Sequence, residues 1–285
     1  MEPFVIDPHT ALGPARLVVA DMGRALSFYE GVLGMQVERR ADGSVGLKAG
    51  ETTLLVLDER PGARPKPPRS TGLYHIALLL PSRRDLARVI RRFAETRYPL
   101  SGASDHLVSE TLYLDDPDGN GLEIYADRPR STWSYNQREV LMATNPLDID
   151  GILGELQGDT APWAGMADGS TVGHVHLQVK DLPSAEAFYC GVLGFEVMAR
   201  YGPAAMFVSA GGYHHHLGLN TWAGVGAPPP PTGAAGLRHF TVRLPGSEAL
   251  DVVLSRVREA GIAAEDAEGG VLLRDPSQNG VRITA

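Results

Sequence analysis

The sequence has little cysteine, and this limits its covalent chemistry. Among its 285 residues only Cys190 carries a thiol, so no internal disulfide bond can form. Proteins of oxidising compartments commonly depend on such bonds, whereas reducing compartments keep thiols free. The shortage of cysteine therefore favours a reducing compartment, and we expect a cytoplasmic protein.

Long apolar runs and an excess of positive charge are also absent. No stretch approaches the roughly 18 consecutive apolar residues that a membrane-spanning helix needs. Residues 1–10 lack both the basic start and the apolar run of a signal peptide. The formal net charge of -8 argues against nucleic acid and anionic membranes as partners. We therefore expect the partner to be a small molecule, and the sequence is compatible with a homo-oligomer.

Three segments recur in the same order in the two halves of the chain. The longest pair, Asp21–Gly34 and Asp181–Gly194, shares eight of fourteen residues. The other two pairs are Gly72–Pro81 with Gly236–Pro245, and Asp116–Ile124 with Asp275–Ile283. The offsets of 160, 164 and 159 residues are nearly constant, which chance similarity would not produce. The sequence therefore indicates a duplication.

Each half divides again into two modules of the order βαβββ. In the first module, Ala15–Val19 has the pattern of a strand and Arg24–Leu33 that of a helix that Gly34 stops. The patterns predict three further helices, at Ser82–Thr96, Pro183–Leu193 and Ser247–Ala260. We predict an amino-terminal pair of modules at 1–127, a linker at 128–170 with a short helix near Asp150, and a carboxy-terminal pair at 171–285.

The segment DDPDGNGLEIY, Asp115–Tyr125, contains a glutamate that is unusual for its position. Asp-Pro followed by Asp-Gly-Asn-Gly is a dense turn signal, and a short strand follows it. Leu122 and Ile124 alternate with Glu123, so the carboxylate lies on the opposite face of that strand. If the apolar face packs against helices, Glu123 points into a cavity. The alternative for a lone strand glutamate is simple solvation.

Four βαβββ modules with the repeated D-L-type, FY-x-x-VLG and DP-x-x-NG motifs resemble the vicinal oxygen chelate superfamily. Its members include glyoxalase I, fosfomycin-resistance proteins and extradiol ring-cleavage dioxygenases. The resemblance implies an α+β fold, in which the four modules pair into two curved eight-stranded mixed sheets. It also implies a metal on the concave face of a sheet, held by residues of the first strand of each module and of the last strand of the second.

The superfamily pattern assigns the ligand positions to particular residues. In modules one to four, the first-strand position falls on Pro14, His75, His174 and His239. The last-strand position falls on Glu123 in module two and on Arg282 in module four. Proline has no side-chain ligand, and the arginine side chain is a cation that does not bind metals. Neither half of the chain can therefore supply a complete set of ligands by itself.

Only one pairing of the modules gives a complete metal site. If the modules pair within each half, both sites lack a ligand. If modules two and three pair crosswise, they combine His75, Glu123 and His174, which is a set of two histidines and one carboxylate. Modules one and four would then form a sheet without a metal. We therefore predict crosswise pairing and one metal site, with pairing within each half as the alternative.

Two imidazoles and a carboxylate on one face leave about three positions open on an octahedral metal. That arrangement suits Fe(II), which can bind a bidentate substrate together with O₂, and Mn(II) fits as well. The resemblance thus implies an extradiol dioxygenase that opens catechol-type substrates with O₂. Among extradiol enzymes, the motifs GLYHIALLLP, GASDHLVSE and YHHHLGLNTW look like those of bacterial catechol-2,3-dioxygenase proteins of the CatE type.

The same resemblance implies three catalytic residues. Extradiol dioxygenases place a tyrosine and a histidine ahead of the glutamate ligand, and the corresponding residues here are Tyr113 and His106. They also place a catalytic histidine on the last strand of the module that provides the first ligand, which corresponds to His215. Strand alternation puts His214 and His216 on one face and His215 on the other. The sequence leaves open which of these faces meets the cavity.

Two other functions remain open on the same scaffold. A glyoxalase-like isomerase or lyase would use Zn, Ni or Mn and would need a fourth protein ligand, for which His214 or His216 is the available residue. A binding protein of the bleomycin-resistance kind would hold a small molecule without any metal. The complete triad favours the dioxygenase over the binding protein.

Overall fold

A computed structural model of the protein describes residues 4–137, 139–267 and 269–285. The first three residues of the stretch assessed for a signal peptide lie outside this description. A short strand, β1, at Ala11–Leu12 precedes the first module. No helix in the described ranges is long and apolar enough to cross a bilayer.

The amino-terminal half contains two βαβββ modules, as predicted. Module one consists of β2, α1, β3, β4 and β5, at Ala15–Val19, Met22–Tyr29, Gln36–Arg39, Val45–Ala49 and Thr52–Glu59. Module two consists of β6, α2, β7, β8 and β9, at Gly72–Leu79, Arg83–Thr96, Gly102–Asp105, Ser109–Asp115 and Gly121–Asp127. His106–Val108 form the turn between β7 and β8.

The connection between the halves contains little regular secondary structure. It contains a 3₁₀ turn, the strands β10 and β11, the helix α3 and a second 3₁₀ turn, at Arg130–Thr132, Tyr135–Asn136, Glu139–Val140, Ile149–Leu153 and Gly154–Leu156. The short helix predicted near Asp150 is therefore confirmed. The Asp148 side chain caps α3 by accepting a hydrogen bond from the Gly151 amide.

The carboxy-terminal half repeats the same arrangement. Module three consists of β12, α4, β13, β14 and β15, at Thr171–Gln178, Leu182–Glu186, Glu196–Tyr201, Ala205–Ser209 and Leu217–Asn220. Its helix continues as a π-helical segment, Ala187–Val192. Module four consists of β16, α5, β17, β18 and β19, at Gly236–Arg243, Ser247–Glu259, Ala264–Ala267, Gly270–Arg274 and Gly280–Thr284.

The two large sheets each combine one module from each half of the chain. The first has the strand order β13-β14-β15-β12-β6-β9-β8-β7, which joins modules three and two. The second has the order β17-β18-β19-β16-β2-β5-β4-β3, which joins modules four and one, with β1 paired to β16. Strands β6 and β12 are antiparallel, with His75 opposite His176 and Ala77 opposite His174. The crosswise pairing predicted from the ligand positions is therefore confirmed, and so is the α+β fold with two eight-stranded mixed sheets that the resemblance implied.

Buried apolar residues of the strands and helices form a core that runs through all four modules. The turn that precedes β9 shows how the repeated motifs support this packing. The Asp116 carboxylate accepts hydrogen bonds from the amides of Asp118 and Asn120, both at 2.8 Å. The Tyr29 hydroxyl donates to the same carboxylate over 2.9 Å. This aspartate thus fixes the turn that leads into the strand of Glu123.

Candidate metal centre

Four adjacent strands bring the predicted ligands to one side of the first sheet. The strands β12, β6 and β9 are neighbours, and they carry His174, His75 and Glu123 respectively. Tyr113 on β8 lies directly opposite Glu123 in the antiparallel β8–β9 pair. These side chains line a cavity of about 510 Å³, a volume within the usual range for small-molecule sites.

The three predicted ligands meet at one point. Nε2 of His75 lies 3.0 Å and Nε2 of His174 lies 3.1 Å from the same oxygen, Oε2 of Glu123. The two nitrogens are 3.3 Å apart. All three residues are buried. In the described part of the chain, they form the one group of three or more histidine, cysteine, aspartate or glutamate side chains that could hold a metal ion.

The spacing of these atoms fits a divalent metal. Neighbouring ligands of an octahedral ion at about 2.1 Å are about 3.0 Å apart, because they subtend a right angle. The observed separations of 3.0, 3.1 and 3.3 Å lie close to that value. Thr111 donates a hydrogen bond of 2.7 Å to the other glutamate oxygen, Oε1, and so orients the carboxylate. The donor set and its spacing therefore suit a metal bound on one face, with positions open towards the cavity.

The protonation states of the ligands also suit a metal. Burial raises the pKa of Glu123, but the adjacent His174 and His75 outweigh this effect and hold the pKa well below its usual range. Burial lowers the pKa of His174 to about 4. At neutral pH the site therefore contains a carboxylate and a neutral imidazole, which are the forms that bind a cation.

Tyr113 and His106 form a hydrogen-bonded pair on the cavity wall. The Tyr113 hydroxyl lies 2.7 Å from Nε2 of His106. Nδ1 of His106 lies 2.5 Å from the carbonyl oxygen of Ala143, which can only accept a hydrogen bond. His106 therefore donates from Nδ1 to Ala143 and can accept a hydrogen bond from the Tyr113 hydroxyl at Nε2. Burial, and secondarily the charge of Glu123, raises the pKa of Tyr113 far above its usual value, so the tyrosine remains protonated.

The three consecutive histidines lie in a loop, and not on the strand that the sequence predicted. Strand β15 begins at Leu217, immediately after them. His215 lines the cavity, and its ring lies 4.1 Å from that of His174, centroid to centroid. His214 is fully buried and bonds Asp127, whereas His216 turns away and bonds Ser209. The structure thus resolves which histidine of the three faces the cavity.

The rest of the cavity wall is aromatic, and the sequence reasoning missed three of its residues, Tyr74, Phe207 and Trp222. Tyr74, Phe207 and Trp222 line it together with His176, whose ring contacts all three. Burial lowers the pKa of His176 well below its usual value, so the ring is neutral. Residues of the connecting segment, at 142–144, close another side. That segment has no periodic pattern, so its place could not be predicted.

Asp127 was also missed, although the sequence contained a signal for it. Side chains two residues apart on a strand share a face, so Glu123, Tyr125 and Asp127 of β9 all lie on the cavity side. The Asp127 carboxylate accepts hydrogen bonds from His214 at 3.0 Å and from the Tyr213 hydroxyl at 3.2 Å.

The second sheet carries a different set of residue types at the positions that correspond to the proposed ligands. At the equivalent positions it carries Pro14, His239 and Arg282. The Arg16 guanidinium, on the first strand of module one, binds the carboxylate of Asp58 through two hydrogen bonds of 2.7 Å each. Burial, together with the neighbouring Arg282, lowers the pKa of His239 to about 4.

Comparisons with known proteins agree with this fold. A model of the Glyoxalase/Bleomycin resistance protein/Dioxygenase superfamily matches residues 8–124 and 171–283. The catechol-2,3-dioxygenase of Bacillus subtilis (strain 168) is 48% identical over 275 residues, which is 95% of each chain. A proposed dioxygenase of Bacillus subtilis subsp. subtilis str. 168 is similar in structure, with a TM-score of 0.66 and 15% identity over 99% of this chain and 86% of that one.

Glyoxalase I of Zea mays is also similar in structure. Its TM-score is 0.57, with 16% identity over 96% of this chain and 92% of that one. At these identities the two structural relatives show a common fold, and the family model and the sequence relative show common descent. The chain belongs to the Glyoxalase/Bleomycin resistance protein/Dioxygenase superfamily.

Proposed function

We propose that the protein is an Fe(II)-dependent extradiol dioxygenase that cleaves catechol-type substrates with O₂. The observation that carries this proposal is the convergence of His75, Glu123 and His174 at the floor of a cavity whose wall also contains Tyr113 and His215. The 48% identity to a catechol-2,3-dioxygenase supports the same activity. The single cysteine supports a cytoplasmic location for the reaction.

Two histidines and one carboxylate would hold the metal. When bound, Fe(II) supplies positions for both catechol oxygens and for O₂, and it lowers the pKa of the catechol hydroxyls; Mn(II) can serve the same purpose. The overall reaction adds both atoms of O₂ to the substrate. It breaks the ring bond between one hydroxyl-bearing carbon and the adjacent carbon that has no hydroxyl. The product is of the 2-hydroxymuconic semialdehyde type.

Three side chains of the protein would handle protons in this reaction. His215 is neutral, because burial lowers its pKa well below the usual value, and it can accept a proton from the substrate. The Tyr113 hydroxyl donates a hydrogen bond to His106, so its oxygen can accept a hydrogen bond from the second catechol hydroxyl. The same pair can return a proton as the ring opens, since His106 lies within hydrogen-bonding distance.

The aromatic wall would hold the substrate ring. Trp222, Tyr74 and Phe207 present apolar surface on the side of the cavity next to the proposed ligands. Ring faces and edges of this kind bind a planar aromatic ligand and exclude water. Exclusion of water limits side reactions between the solvent and the reactive species that form in the site.

The side-chain arrangement favours the dioxygenase over an isomerase with a fourth protein ligand. The residues available for that role were His214 and His216. His214 binds Asp127 and His215, and His216 binds Ser209, so neither joins His75, Glu123 and His174. Three ligands leave room for a bidentate substrate and O₂, which the dioxygenase reaction requires.

Oxygen uptake tests this proposal directly. The protein is loaded with Fe(II) without oxygen and then mixed with catechol and substituted catechols in air-saturated buffer. We expect rapid uptake and a yellow ring-opened product, at least 100-fold slower in His75→Ala and in Glu123→Ala. His239→Ala is the matched control, because His239 holds in module four the position that His75 holds in module two, and we expect it to retain activity.

Each alternative function gives a different result in the same experiment. Metal binding without oxygen uptake would contradict the dioxygenase and favour a metal-dependent isomerase or lyase. Failure of the wild-type chain to bind metal would contradict both and favour a protein that binds small molecules without metal. Equal loss of activity in His239→Ala and His75→Ala would contradict the assignment of the site to modules two and three.

A further inference from the structure

A chain of three hydrogen-bonding groups leads from the end of β9 to the cavity. Oδ1 of Asp127 lies 3.0 Å from Nε2 of His214. Nδ1 of His214 lies 2.8 Å from Nδ1 of His215. The ring of His215 in turn lines the cavity beside His174. The reaction proposed above uses only the last member, so the first two have no role yet.

Chemistry fixes the direction of each bond in this chain. A carboxylate can only accept hydrogen bonds, so His214 donates to Asp127 from Nε2. The form of His214 with one ring proton then carries it on Nε2, so its Nδ1 nitrogen must accept. His215 therefore donates from Nδ1, because the two nitrogens at 2.8 Å cannot both carry protons. Because the His215 ring carries its proton on Nδ1, its Nε2 nitrogen is unprotonated.

The surroundings hold the first two groups in place. His214 is fully buried, with the rings of Trp133, Tyr213 and Tyr125 around it. The Tyr213 hydroxyl donates to the same Asp127 oxygen over 3.2 Å, so that oxygen acts as an acceptor towards both neighbours. The Tyr125 hydroxyl, at 2.8 Å, completes the network by donating to Tyr213.

We propose that Asp127 and His214 are positioning residues that select the tautomer of His215 in which Nε2 is free to accept a proton. The orientation of the ring follows from the same two bonds. The function of this tautomer as a base rests on the dioxygenase proposed above, because a catechol hydroxyl is the proton donor there. The tautomer itself is a property of the protein alone and can be measured without catalysis.

Nuclear magnetic resonance of the full-length, metal-free chain tests the proposal. Two-bond ¹⁵N–¹H correlation spectra of histidine-labelled protein distinguish a ring protonated at Nδ1 from one protonated at Nε2, and the signals of His215 are those lost in His215→Gln. We expect His215 to carry its proton on Nδ1 in the wild type. A His215 protonated on Nε2, or a His214 protonated on both nitrogens, would overturn the proposal.

Two substitutions at Asp127 separate its accepting oxygen from its charge. Asp127→Asn keeps an oxygen that can accept from His214 and Tyr213, so we expect the same tautomer. Asp127→Ala removes the acceptor, so we expect a mixture of tautomers at His215. Asp58→Ala, a half-buried carboxylate of the other sheet, is the matched control and should change nothing at His215. An unchanged tautomer in Asp127→Ala would overturn the proposal, and the wild-type spectrum decides it if that variant fails to fold.

Kinetics of the Fe(II)-loaded protein provide the second measurement. We expect kcat to fall about 10- to 100-fold in Asp127→Ala, as for other residues that orient an active group, with KM changed less than about threefold. Asp127→Asn should restore most of kcat. Loss of kcat with an unchanged tautomer would contradict the positioning role, whereas the expected tautomers in a chain without oxygen uptake would contradict only the dioxygenase.

Discussion

His214, His215 and His216 are consecutive, yet each side chain has a different environment. His214 is held by Asp127, His215 lines the cavity, and His216 accepts a hydrogen bond from the amide of Ala210. Strict alternation would have placed the first and third on one face. The loop ahead of β15 removes that constraint, because side chains alternate between faces only within a regular strand. The chemistry of a histidine here depends on its partners, which the residue type does not reveal.

At the same scale, the proposed function of Tyr113 depends on one atom, the hydroxyl oxygen, which a single substitution removes. Tyr113→Phe keeps the ring against His75 but removes the hydroxyl that bonds His106. Because the tyrosine is not one of the proposed ligands, we expect the variant to bind the same amount of iron. We expect kcat for catechol to fall about 10-fold or more, since an acid–base group is lost. Steady-state oxygen uptake and iron content are the measurements.

Tyr98 offers a matched control for that substitution. Its hydroxyl donates to the carbonyl oxygen of Asp115 over 2.8 Å, and the Tyr98 side chain is not among those that line the cavity. Tyr98→Phe should leave kcat within about twofold of the wild type. A similar loss of kcat in both variants would show that the effect of Tyr113→Phe comes from general destabilisation and not from the lost proton donor.

At the scale of elements, the repeated motifs connect a helix of one sheet to a turn of the other. Tyr29 on α1 belongs to the sheet of modules four and one, whereas Asp116 precedes β9 in the sheet of modules three and two. In the second half, Tyr189 donates to Asp275 in the same way, over 3.0 Å. The motif therefore holds the two sheets together, and its Asp116 copy also fixes the start of the strand that carries Glu123.

Removal of the Tyr29 hydroxyl tests the contribution of this link. Tyr29→Phe leaves the buried Asp116 carboxylate without one of its donors, and hydrogen bonds to charged groups contribute about 1.5–3 kcal/mol. We expect the free energy of unfolding to fall by roughly that amount in urea titrations, with kcat little changed below the transition. Tyr189→Phe should cost a similar amount. A cost below about 0.5 kcal/mol in both variants would contradict the role assigned to the motif.

At the scale of the whole molecule, the repeated modules form two similar sheets, and one of them carries three side chains that could bind a metal ion. The sheet of modules three and two carries His75, Glu123 and His174, whereas the other sheet pairs Arg16 with Asp58. Both sheets cross between the halves, so neither half of the chain can build a complete sheet alone. The domain boundaries predicted at 127 and 171 mark changes in the sequence pattern and stay a prediction as units of folding.

The lowered pKa of His239, in the sheet of modules four and one, should make the free energy of unfolding depend on pH. Burial lowers the pKa of His239 to about 4, below the value of about 6.5 in an unfolded chain. Between these values the unfolded state binds more protons, so the free energy of unfolding falls as the pH falls. From pH 7 to pH 5, His239 should account for about 2 kcal/mol of that loss.

Comparison with His239→Gln isolates this contribution. The variant keeps a polar side chain that does not titrate, whereas the other buried histidines respond equally in both proteins. Urea unfolding of the metal-free proteins at pH 7 and pH 5 should show a smaller loss in the variant, by about 2 kcal/mol. Equal losses in the two proteins would contradict the shifted pKa.

Much of the fold followed from patterns that are local in sequence. Helix α2 was predicted at Ser82–Thr96 and found at Arg83–Thr96, with Ser82 as its cap, because its apolar spacing is regular over several turns. The helix predicted at Arg24–Leu33 was placed too far along the chain: α1 spans Met22–Tyr29, and a turn ending at Gly34 with a positive φ of 67° follows it. Apolar residues in that turn keep the helical spacing, so periodicity alone could not locate the end.

The sequence by itself determined the duplication, the four modules and the residue types available at each ligand position. Those features follow from repeated motifs and from the two periodicities of helices and strands, which need no knowledge of the fold. Loss of ligands at Pro14 and Arg282 even indicated which modules pair. Only the tertiary structure decided that His215 lines the cavity, that Asp127 bonds His214, and that residues 142–144 close one wall. These contacts join distant parts of the chain through loops, where no periodic pattern constrains the direction of a side chain.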